Sequence, residues 1–277
     1  MLVVVTALFV AWPVVIMALE AFGTDLSPIF TGKAITFVGG VPFYSGGFNP
    51  TLANIHDALG VQAFPKLVVN STVIGTANVV LALSAGVPAG YAFARMKFVG
   101  KEPIAYALLA LRTVSPFAVV LPLYLLYVHN GLWDTYQGMA IAYLALDLPV
   151  VVWMLRGFFA DVPKEVYEAA EIFGASERQI FARVAIPLVL LGVVATAVFS
   201  FVLQWNEFQM ANLLTGGMAK TVSVGIWSGA GESVAGFKTV NWDTTNALGS
   251  LAFVPVFAMI LIIRKYLARG FSLAMAK

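Results

Sequence analysis

The sequence predicts an all-α membrane protein with six transmembrane helices, and three observations support this fold class. Of its 277 residues, 60% are hydrophobic and 11% are charged, with a mean hydropathy of +0.89, whereas a soluble domain carries about 25% charged residues. Apolar runs recur that are long enough to cross a bilayer, which takes roughly 20 residues per helix. Lys and Arg are unevenly divided between the connecting segments, as expected for loops on opposite sides of a membrane.

Breaks between the apolar runs define the spans. They are predicted at 2–22, 67–94, 104–128, 136–159, 188–214 and 247–267. The first run has no basic residue ahead of it and no convincing cleavage site, so we expect it to remain as a span and not to be removed as a signal peptide. No repeat or linker divides the chain, and residues 1–277 are predicted to form a single membrane domain.

An even number of spans places both termini on one side, and the basic residues identify that side. Eleven of the 16 Lys and Arg lie in one set of connections and at the C-terminus, and four lie in the other set. The richer set is Arg95, Lys97, Lys101, Arg156, Lys164, Arg178, Arg183, Arg264, Lys265, Arg269 and Lys277; the poorer set is Lys33, Lys66, Lys220 and Lys238. Both termini are therefore predicted to be cytoplasmic, with the long connections 23–66 and 215–246 outside.

Composition and motifs exclude several classes of function. The sequence has no cysteine, so disulfides and thiolate metal sites are excluded. The net charge of +2 is not gathered into a basic strip, so nucleic acid is not an expected partner. An intramembrane enzyme would need a metal or nucleophile constellation, and none is evident around His56 or His129. An ion-coupled secondary carrier would show inverted repeats or broken helices, and neither is clear in the sequence.

Residues 160–187 form the most charged and most patterned connection. Pro163 opens a first helix, predicted over 164–173. Its apolar positions follow helical spacing, which would bury one face against a partner. They are Val166, Ala169, Ala170 and Phe173. A solvated hairpin at the membrane surface is the alternative interpretation.

A turn and a second helix follow. Gly174 lets the backbone turn, and Ser176 with Gln179 forms a capping-box pattern at the start of the second helix. Pro187 is predicted to end this helix just before the fifth span.

The 160–187 segment resembles the EAA loop of ATP-binding-cassette importer permeases. The resemblance rests on Glu168-Ala169-Ala170, then Gly174, then Val184-Ala185-Ile186-Pro187, placed before the penultimate span. It implies a coupling loop that docks on a cytoplasmic ATPase. Glu168 would contact the ATPase, Ala169 and Ala170 would permit close packing, and Gly174 would provide the bend. Phe173 and Pro187 are included among the coupling residues.

Three further segments resemble the carbohydrate-uptake branch, specifically the smaller, six-span subunit of maltose-type permeases. They are Leu121-Pro122-Leu123-Tyr124, Gly131-Leu132-Trp133-Asp134-Thr135 and Trp205-Asn206-Glu207-Phe208. The resemblance covers residues from about 67 to the C-terminus. It implies a cell-membrane complex with a second permease, two ATPase copies and an extracytoplasmic binding protein that delivers a sugar, an oligosaccharide or a polyol. An importer permease for a non-sugar solute is the alternative.

The chain itself is expected to be non-catalytic. It lacks a G-x-x-x-x-G-K-[ST] phosphate loop, so ATP and Mg²⁺ would be bound by the partner ATPase, and no cofactor or metal is predicted in this chain.

Polar residues within the spans are candidates for the translocation path. Arg112 costs roughly 3 kcal/mol near the middle of a bilayer and should face protein or water. It is expected either to pair with Asp147 or to bind backbone carbonyls that Pro116 frees. Both Arg112 and Asp147 would then line the passage or hold two spans together.

Two other groups complete the candidate residues. Gln204, Asn206 and Glu207 either contact a hydroxylated solute or pack at an outer gate. By the family resemblance, Gly216, Gly217 and Met218 are candidate contacts with the binding protein.

Overall fold

A computed structural model describes residues 12, 14–19, 21–22, 36–38, 41–43, 52–60, 64–229, 231–234, 237–240 and 242–274. Helices dominate these residues, which agrees with the predicted all-α class. The chain divides into two compact units, one of residues 1–69 with 222–255 and the other of 70–221 with 256–277. The single domain predicted from the sequence stays a prediction.

The helices are α1 (Ala53–Gly60), α2 (Phe64–Arg95), α3 (Lys101–Leu111), α4 (Pro116–His129), α5 (Tyr136–Ala160), α6 (Lys164–Ile172), α7 (Glu177–Gln179), a π-helical segment (Ile180–Ala185), α8 (Ile186–Trp205), α9 (Gln209–Leu214), α10 (Val222–Gly229) and α11 (Trp242–Ala274). The strands are β1 (Thr36–Val38), β2 (Val41–Phe43), β3 (Gly231–Val234) and β4 (Phe237–Val240).

Within the described residues, three helices are long and apolar enough to cross a membrane: 64–95, 136–160 and the continuous helix 177–205. The first two coincide with the predicted spans 67–94 and 136–159. Shorter apolar helices cover 118–129 and 245–261. The first predicted span falls mostly outside the described residues. Within that span, residues 12, 14–19 and 21 are described as helical. The total of six spans therefore stays a prediction.

The third span, predicted as one helix over 104–128, is broken in the structure. Helix α3 ends at Leu111 and α4 begins at Pro116. Pro116 has no N–H group to continue a helix and disfavours helical backbone in the residue before it. The N–H groups of Arg112 and Thr113 instead bond to carbonyls three residues earlier, both at 3.0 Å. The turn thus satisfies the carbonyls at the end of α3 locally.

The fifth span, predicted over 188–214, is also interrupted. Helix α8 ends at Trp205, and α9 starts separately at Gln209. Of the two interruptions, the one at 112–115 lies where Pro116 was predicted to free backbone carbonyls, and the one at 206–208 was not predicted.

In the 70–221 unit, helices α2 and α5 pack closely through two glycines. A Cβ atom on Gly86 would lie 2.6 Å from Val151 Cγ1, and one on Gly90 would lie 2.7 Å from Leu155 Cβ. Small residues are required at this crossing, as the G-x-x-x-G spacing indicates. A buried apolar cluster continues from it to the 160–187 segment and the start of α8. Its members are Ala82, Tyr91, Val151, Leu155, Phe159, Tyr167, Ile180, Ala185 and Val189.

In the other unit, the helical residues 14–19 lie beside α11. A Cβ atom on Gly249 would lie 3.0 Å from Met17 Sδ, and Ser250 Oγ donates to the Met17 carbonyl at 3.4 Å. The two long connections predicted to lie outside contain regular structure. They include the antiparallel hairpins β1–β2, with Thr36 opposite Phe43, and β3–β4, with Gly231 opposite Val240.

Candidate functional site

A cavity of about 480 Å³ lies in the 70–221 unit at the two helix interruptions. Its lining residues are Arg112, Val114, Leu146, Leu203, Gln204, Asn206, Glu207, Phe208 and Gln209. The volume falls within the range of small-molecule sites. Four of the five residues predicted for a translocation path line this one cavity, and Asp147 does not.

Arg112 follows the last residue of α3. Its Nη1 donates to the Leu146 carbonyl of α5 at 2.9 Å, while Thr113 Oγ1 donates to the Ala110 carbonyl at 2.7 Å. Among the described residues Arg112 forms no ion pair within 4 Å with Asp147, so the first of the two alternatives, direct pairing, is not observed, although the two charges are near enough to interact. The alternative, carbonyl binding, is the one observed, but the carbonyl belongs to α5 and is not one freed by Pro116. The remaining N–H groups of the guanidinium are available at the cavity.

The second interruption is built by two side chains that bond to backbone. Asn206 Nδ2 donates to the Val202 carbonyl at 2.8 Å, at the end of α8. The Glu207 carboxylate accepts the N–H groups of Met210 at 2.8 Å and Ala211 at 3.1 Å, at the start of α9. A carboxylate is favourable at a helix N-terminus, where N–H groups lack helical partners. Both residues therefore stabilise the helix break that they line.

Asp147 lies behind the cavity in a buried polar cluster. Its side chain is fully buried. Asn78 Nδ2 donates to Asp147 Oδ2 at 3.0 Å, and Ser200 Oγ donates to the same oxygen. These contacts tie α2, α5 and α8 together, because each helix contributes one residue. The cluster is only partly satisfied, because Asp147 Oδ1 and Asn78 Oδ1 have no hydrogen-bond partner among the described residues.

Helix α6 of the 160–187 segment has one buried and one exposed face. Tyr167 is its only buried residue, and Ala170 packs against the apolar cluster. Glu168 and Ala169 are exposed. The following residues Ile172 and Phe173 expose 84% and 90% of their surface. Two large apolar side chains are thus almost fully exposed at the end of α6.

Gly174 ends α6 in a conformation that other residues rarely adopt. Its φ is +77°, and the N–H groups of Gly174 and Ala175 bond to the carbonyls of Glu171 at 2.9 Å and Ala170 at 3.1 Å. This is the Schellman pattern of helix ends. No heavy atom lies within 4 Å of a Cβ built on Gly174, so the backbone angle alone requires glycine here.

The second helix of the segment starts as predicted but does not end at Pro187. Gln179 Oε1 accepts the Ser176 backbone N–H at 2.8 Å and the Ser176 hydroxyl at 3.2 Å. The helix then continues through the π-helical segment Ile180–Ala185 into α8. There, the Ile186 N–H bonds to the Phe181 carbonyl, five residues earlier. This wider turn comes immediately before Pro187, whose ring would otherwise crowd the preceding turn. The predicted helix end at Pro187 is therefore wrong.

The residues Gly216, Gly217 and Met218 are held by a single side chain, Asp134. Its carboxylate accepts the backbone N–H groups of four consecutive residues at 2.9–3.1 Å: Gly216, Gly217, Met218 and Ala219. Asp134 itself has a φ of +56°, and its N–H donates to the Leu214 carbonyl at 2.9 Å. We call Asp134 with residues 216–219 the Asp134 clamp.

Neighbouring side chains reinforce the Asp134 clamp. Trp133 Nε1 donates to the Leu213 carbonyl at 3.2 Å, and its ring occupies the space that a Cβ on Gly216 would need. Asn70 Nδ2 donates to the carbonyls of Met218 and Lys220, both at 2.9 Å. Three chain segments are thereby joined at one point.

Charge also favours the Asp134 clamp. Burial raises the pKa of the Asp134 carboxyl, but the four backbone N–H groups together lower it by more than burial raises it. The pKa therefore lies below its ordinary value. Hydrogen bonds to the charged form have this effect. The carboxylate therefore remains ionised at neutral pH.

Sequence reasoning named Asp134 only as part of a motif and passed over Asn78 and Ser200. Their roles depend on partners 53 to 85 positions away, and no local pattern reports such contacts. A partial signal exists for Asp134, since Gly216-Gly217 offers a backbone without side chains to wrap an anion. Among the residues that the structure describes, no group of three or more His, Cys, Asp or Glu could hold a metal ion.

Residues 86–272 match the family described as binding-protein-dependent transport system inner membrane component. A probable ABC transporter permease protein of Sinorhizobium fredii is 36% identical over 233 residues, which cover 83% of this chain and 81% of that protein. The trehalose transport system permease protein of Mycobacterium tuberculosis is 30% identical over 226 residues, or 80% of each chain.

Two further comparisons extend over nearly the whole chain. The trehalose/maltose transport system permease protein of Thermococcus litoralis is 28% identical over 97% of this chain and 92% of its own length. A crystal structure of a bacterial ABC transporter involved in the import of the acidic polysaccharide alginate contains a chain with a TM-score of 0.70 and 18% identity. The match covers 96% of this chain and 93% of that chain, and it shows the common fold.

Proposed function

Since this chain belongs to the binding-protein-dependent transport system inner membrane component family, we propose that it forms the solute passage of an ATP-binding-cassette importer for a carbohydrate. The observation that carries the proposal is the cavity of about 480 Å³ at the two helix interruptions. Irregular backbone at membrane depth is tolerated where protein buries it or where it lines a polar cavity. Broken helices also occur in ion-coupled secondary carriers, so the two helix interruptions do not distinguish the two classes. Membership of the binding-protein-dependent family favours the importer.

The cavity offers the mixture of groups that saccharides require. Arg112 and Gln209 present N–H groups for hydroxyl oxygens, and Phe208 adds apolar surface. Gln204 also lines the cavity, but it is 95% buried, and its Oε1, which has no hydrogen-bond partner among the described residues, is shielded from the cavity, so this side chain would reach a solute hydroxyl only after a change of conformation. The trehalose and maltose named for relatives make sugars, oligosaccharides and polyols the favoured solutes. Asp147 supports this wall from behind.

The 160–187 segment is the proposed dock for a cytoplasmic ATPase. Glu168, Ala169 and Phe173 would contact it, Ala170 and Gly174 would fix the shape of the segment, and Pro187 would follow the turn into α8. Two ATPase copies would bind ATP and Mg²⁺ and act on this chain and on a second permease. Both termini would then be cytoplasmic, as the basic residues predict.

The Asp134 clamp is the proposed contact region for the extracytoplasmic binding protein. Gly216, Gly217 and Met218 are exposed, and half of the Met218 surface is accessible. The clamp would present them in a fixed shape, so little conformational freedom is lost on binding.

The first test is the subunit content of the complex extracted from native membranes, measured by native mass spectrometry. We expect an ATPase, a second permease and a binding protein to be present, and the binding protein can then be screened against saccharides. A chain that runs alone or as a homo-oligomer would reject the importer proposal.

A second test addresses the cavity. Arg112→Leu should lower uptake of the identified solute at least tenfold without loss of the partner subunits, because a charged hydrogen-bond donor at the cavity is removed. Arg112→Lys, which keeps a cation and a donor, is the control and should retain more uptake. Equal uptake by Arg112→Leu and the wild type would remove Arg112 from the path.

A further inference from the structure

The end of α2 contacts the 160–187 segment through Tyr91. The Tyr91 ring is 6% exposed and lies 5.5 Å from the Phe159 ring, edge to face, and 4.9 Å from the Phe181 ring. Phe159 belongs to α5 and Phe181 to the π-helical segment. The ring position is therefore fixed by aromatic packing on two sides.

The Tyr91 hydroxyl makes one further, directed contact. It donates to Glu177 Oε2 at 3.0 Å, joining α2 to the first residue of α7 across 86 positions of sequence. A hydrogen bond to a carboxylate is roughly twice as strong as one between neutral groups. The bond borders a cavity of about 220 Å³, lined by Pro88, Tyr91, Met96, Glu177, Arg178 and Phe181. Because packing is incomplete on that side, the hydroxyl bond is the directed link between α2 and α7 there.

A second contact joins α2 to the other helix of the segment. The Arg95 guanidinium lies 3.8 Å from the centre of the Tyr167 ring, and Tyr167 lies on the buried face of α6. The Tyr167 hydroxyl has no hydrogen-bond partner within the part of the chain that the structure describes. Tyr91 and Tyr167 thus belong to the same apolar cluster, but only the Tyr91 hydroxyl forms a hydrogen bond among the described residues.

We infer that Tyr91 is a positioning residue that ties α2 to the 160–187 segment, so that a displacement of the segment is passed to α2 as well as to α8. The segment reaches α8 through the chain itself, whereas it reaches α2 through side chains. The inference rests on the proposed function, because it assigns a mechanical role to the segment that would dock on the ATPase.

The test uses two matched variants in the complete complex reconstituted with its ATPase, partner permease and binding protein in nanodiscs. Tyr91→Phe removes the bonded hydroxyl and keeps the ring, and Tyr167→Phe removes the unbonded one. The readout is the factor by which the binding protein accelerates ATP hydrolysis, which requires a signal to cross the membrane domain. We expect Tyr91→Phe to lower this factor about threefold to tenfold, within the range for the net contribution of one hydrogen bond.

Tyr167→Phe should leave the factor at the wild-type value, and both variants should retain the ATPase in the purified complex. Glu177→Ala should give the same loss as Tyr91→Phe, and the double variant should lose no more than either single one, because both remove the same bond. These results would support the tie.

An unchanged factor in Tyr91→Phe, or an equal loss in Tyr167→Phe, would overturn the inference. A wild-type complex that lacks an ATPase would reject the proposed function and this inference with it. If the binding protein accelerates ATP hydrolysis equally in the wild-type complex and in the Tyr91→Phe complex, the inference is rejected and the proposed function is not.

Discussion

The Asp134 clamp and the 160–187 segment are both connections between helices, but different forces hold them. In the clamp, one carboxylate accepts four backbone N–H groups. The segment is held to the spans by aromatic packing, one tyrosine hydroxyl and one cation–π contact. Several backbone hydrogen bonds to one carboxylate fix a single loop conformation, whereas packed side chains can adopt a second arrangement when one helix moves against another. The clamp suits a static role and the segment a moving one.

The largest expected effect concerns the exposed end of the segment. Phe173→Ser should weaken binding of the partner ATPase about thirtyfold, since burying a phenylalanine contributes roughly 2 kcal/mol. The folded chain should be unaffected, because 90% of the side chain is exposed. Titration of purified ATPase against the permease complex measures this effect.

Val99→Ser is the matched control, since Val99 is a fully exposed apolar residue outside the segment. It should bind ATPase as the wild type does. Normal binding by Phe173→Ser would remove Phe173 from the docking surface.

The next effect concerns the clamp. Asp134→Ala should lower the free energy of unfolding by about 2 kcal/mol, because several charge-assisted hydrogen bonds are lost and four N–H groups lose their acceptor. Asp134→Asn, which keeps one acceptor oxygen, should lose less. Apparent Tm in detergent gives the ranking, and proteolysis at residues 215–221 locates the change. Unchanged Tm and proteolysis in Asp134→Ala would show that the loop is held by other contacts.

Substitution of Gly174 should have a smaller effect on stability, and a second glycine-to-alanine variant should have the opposite effect. Gly174→Ala should destabilise the chain by about 1 kcal/mol, because alanine is strained at a φ of +77° although space is open. Gly157→Ala in α5, also with nothing within 4 Å, should be neutral or stabilising, since glycine is unfavourable inside a helix. If both variants shift Tm in the same direction, backbone strain at Gly174 is not the cause.

The smallest effect is the pH dependence of the clamp. Because the pKa of Asp134 is lowered in the folded chain, its stabilising contribution is present above the unfolded value of about 4 and is lost as pH falls through the lower folded value. The Tm difference between the wild type and Asp134→Asn should therefore stay constant from pH 7 to about pH 5 and shrink below about pH 4. A difference that disappears between pH 7 and pH 5 would contradict this assignment.

The sequence was informative wherever the determining pattern is local. The apolar runs predicted helices over 67–94 and 136–159 almost to the residue, because span length follows from bilayer thickness. Gly174, and the Gln179 half of the capping box, were likewise predicted by turn and cap chemistry within five residues. Such features need no knowledge of the rest of the fold.

Prediction failed wherever distant partners decide the outcome. Hydropathy showed neither interruption, because it measures composition and not hydrogen bonding. Pro116 predicted freed carbonyls near 112–115, whereas the break at 206–208 was not predicted. The sequence left two partners open for Arg112, the Asp147 carboxylate or a carbonyl freed by Pro116, and the observed partner is a third group, the Leu146 carbonyl of α5, one position from Asp147.

The continuous helix 177–205 has a mechanical consequence. At 1.5 Å per residue its 29 residues extend about 43 Å, from the Glu177 end to Leu203 and Gln204 at the larger cavity. Because the helix is continuous, a rotation of about 5° about the Glu177 end would displace the Trp205 end by about 4 Å. A small change at the 160–187 segment would therefore be enlarged at the larger cavity.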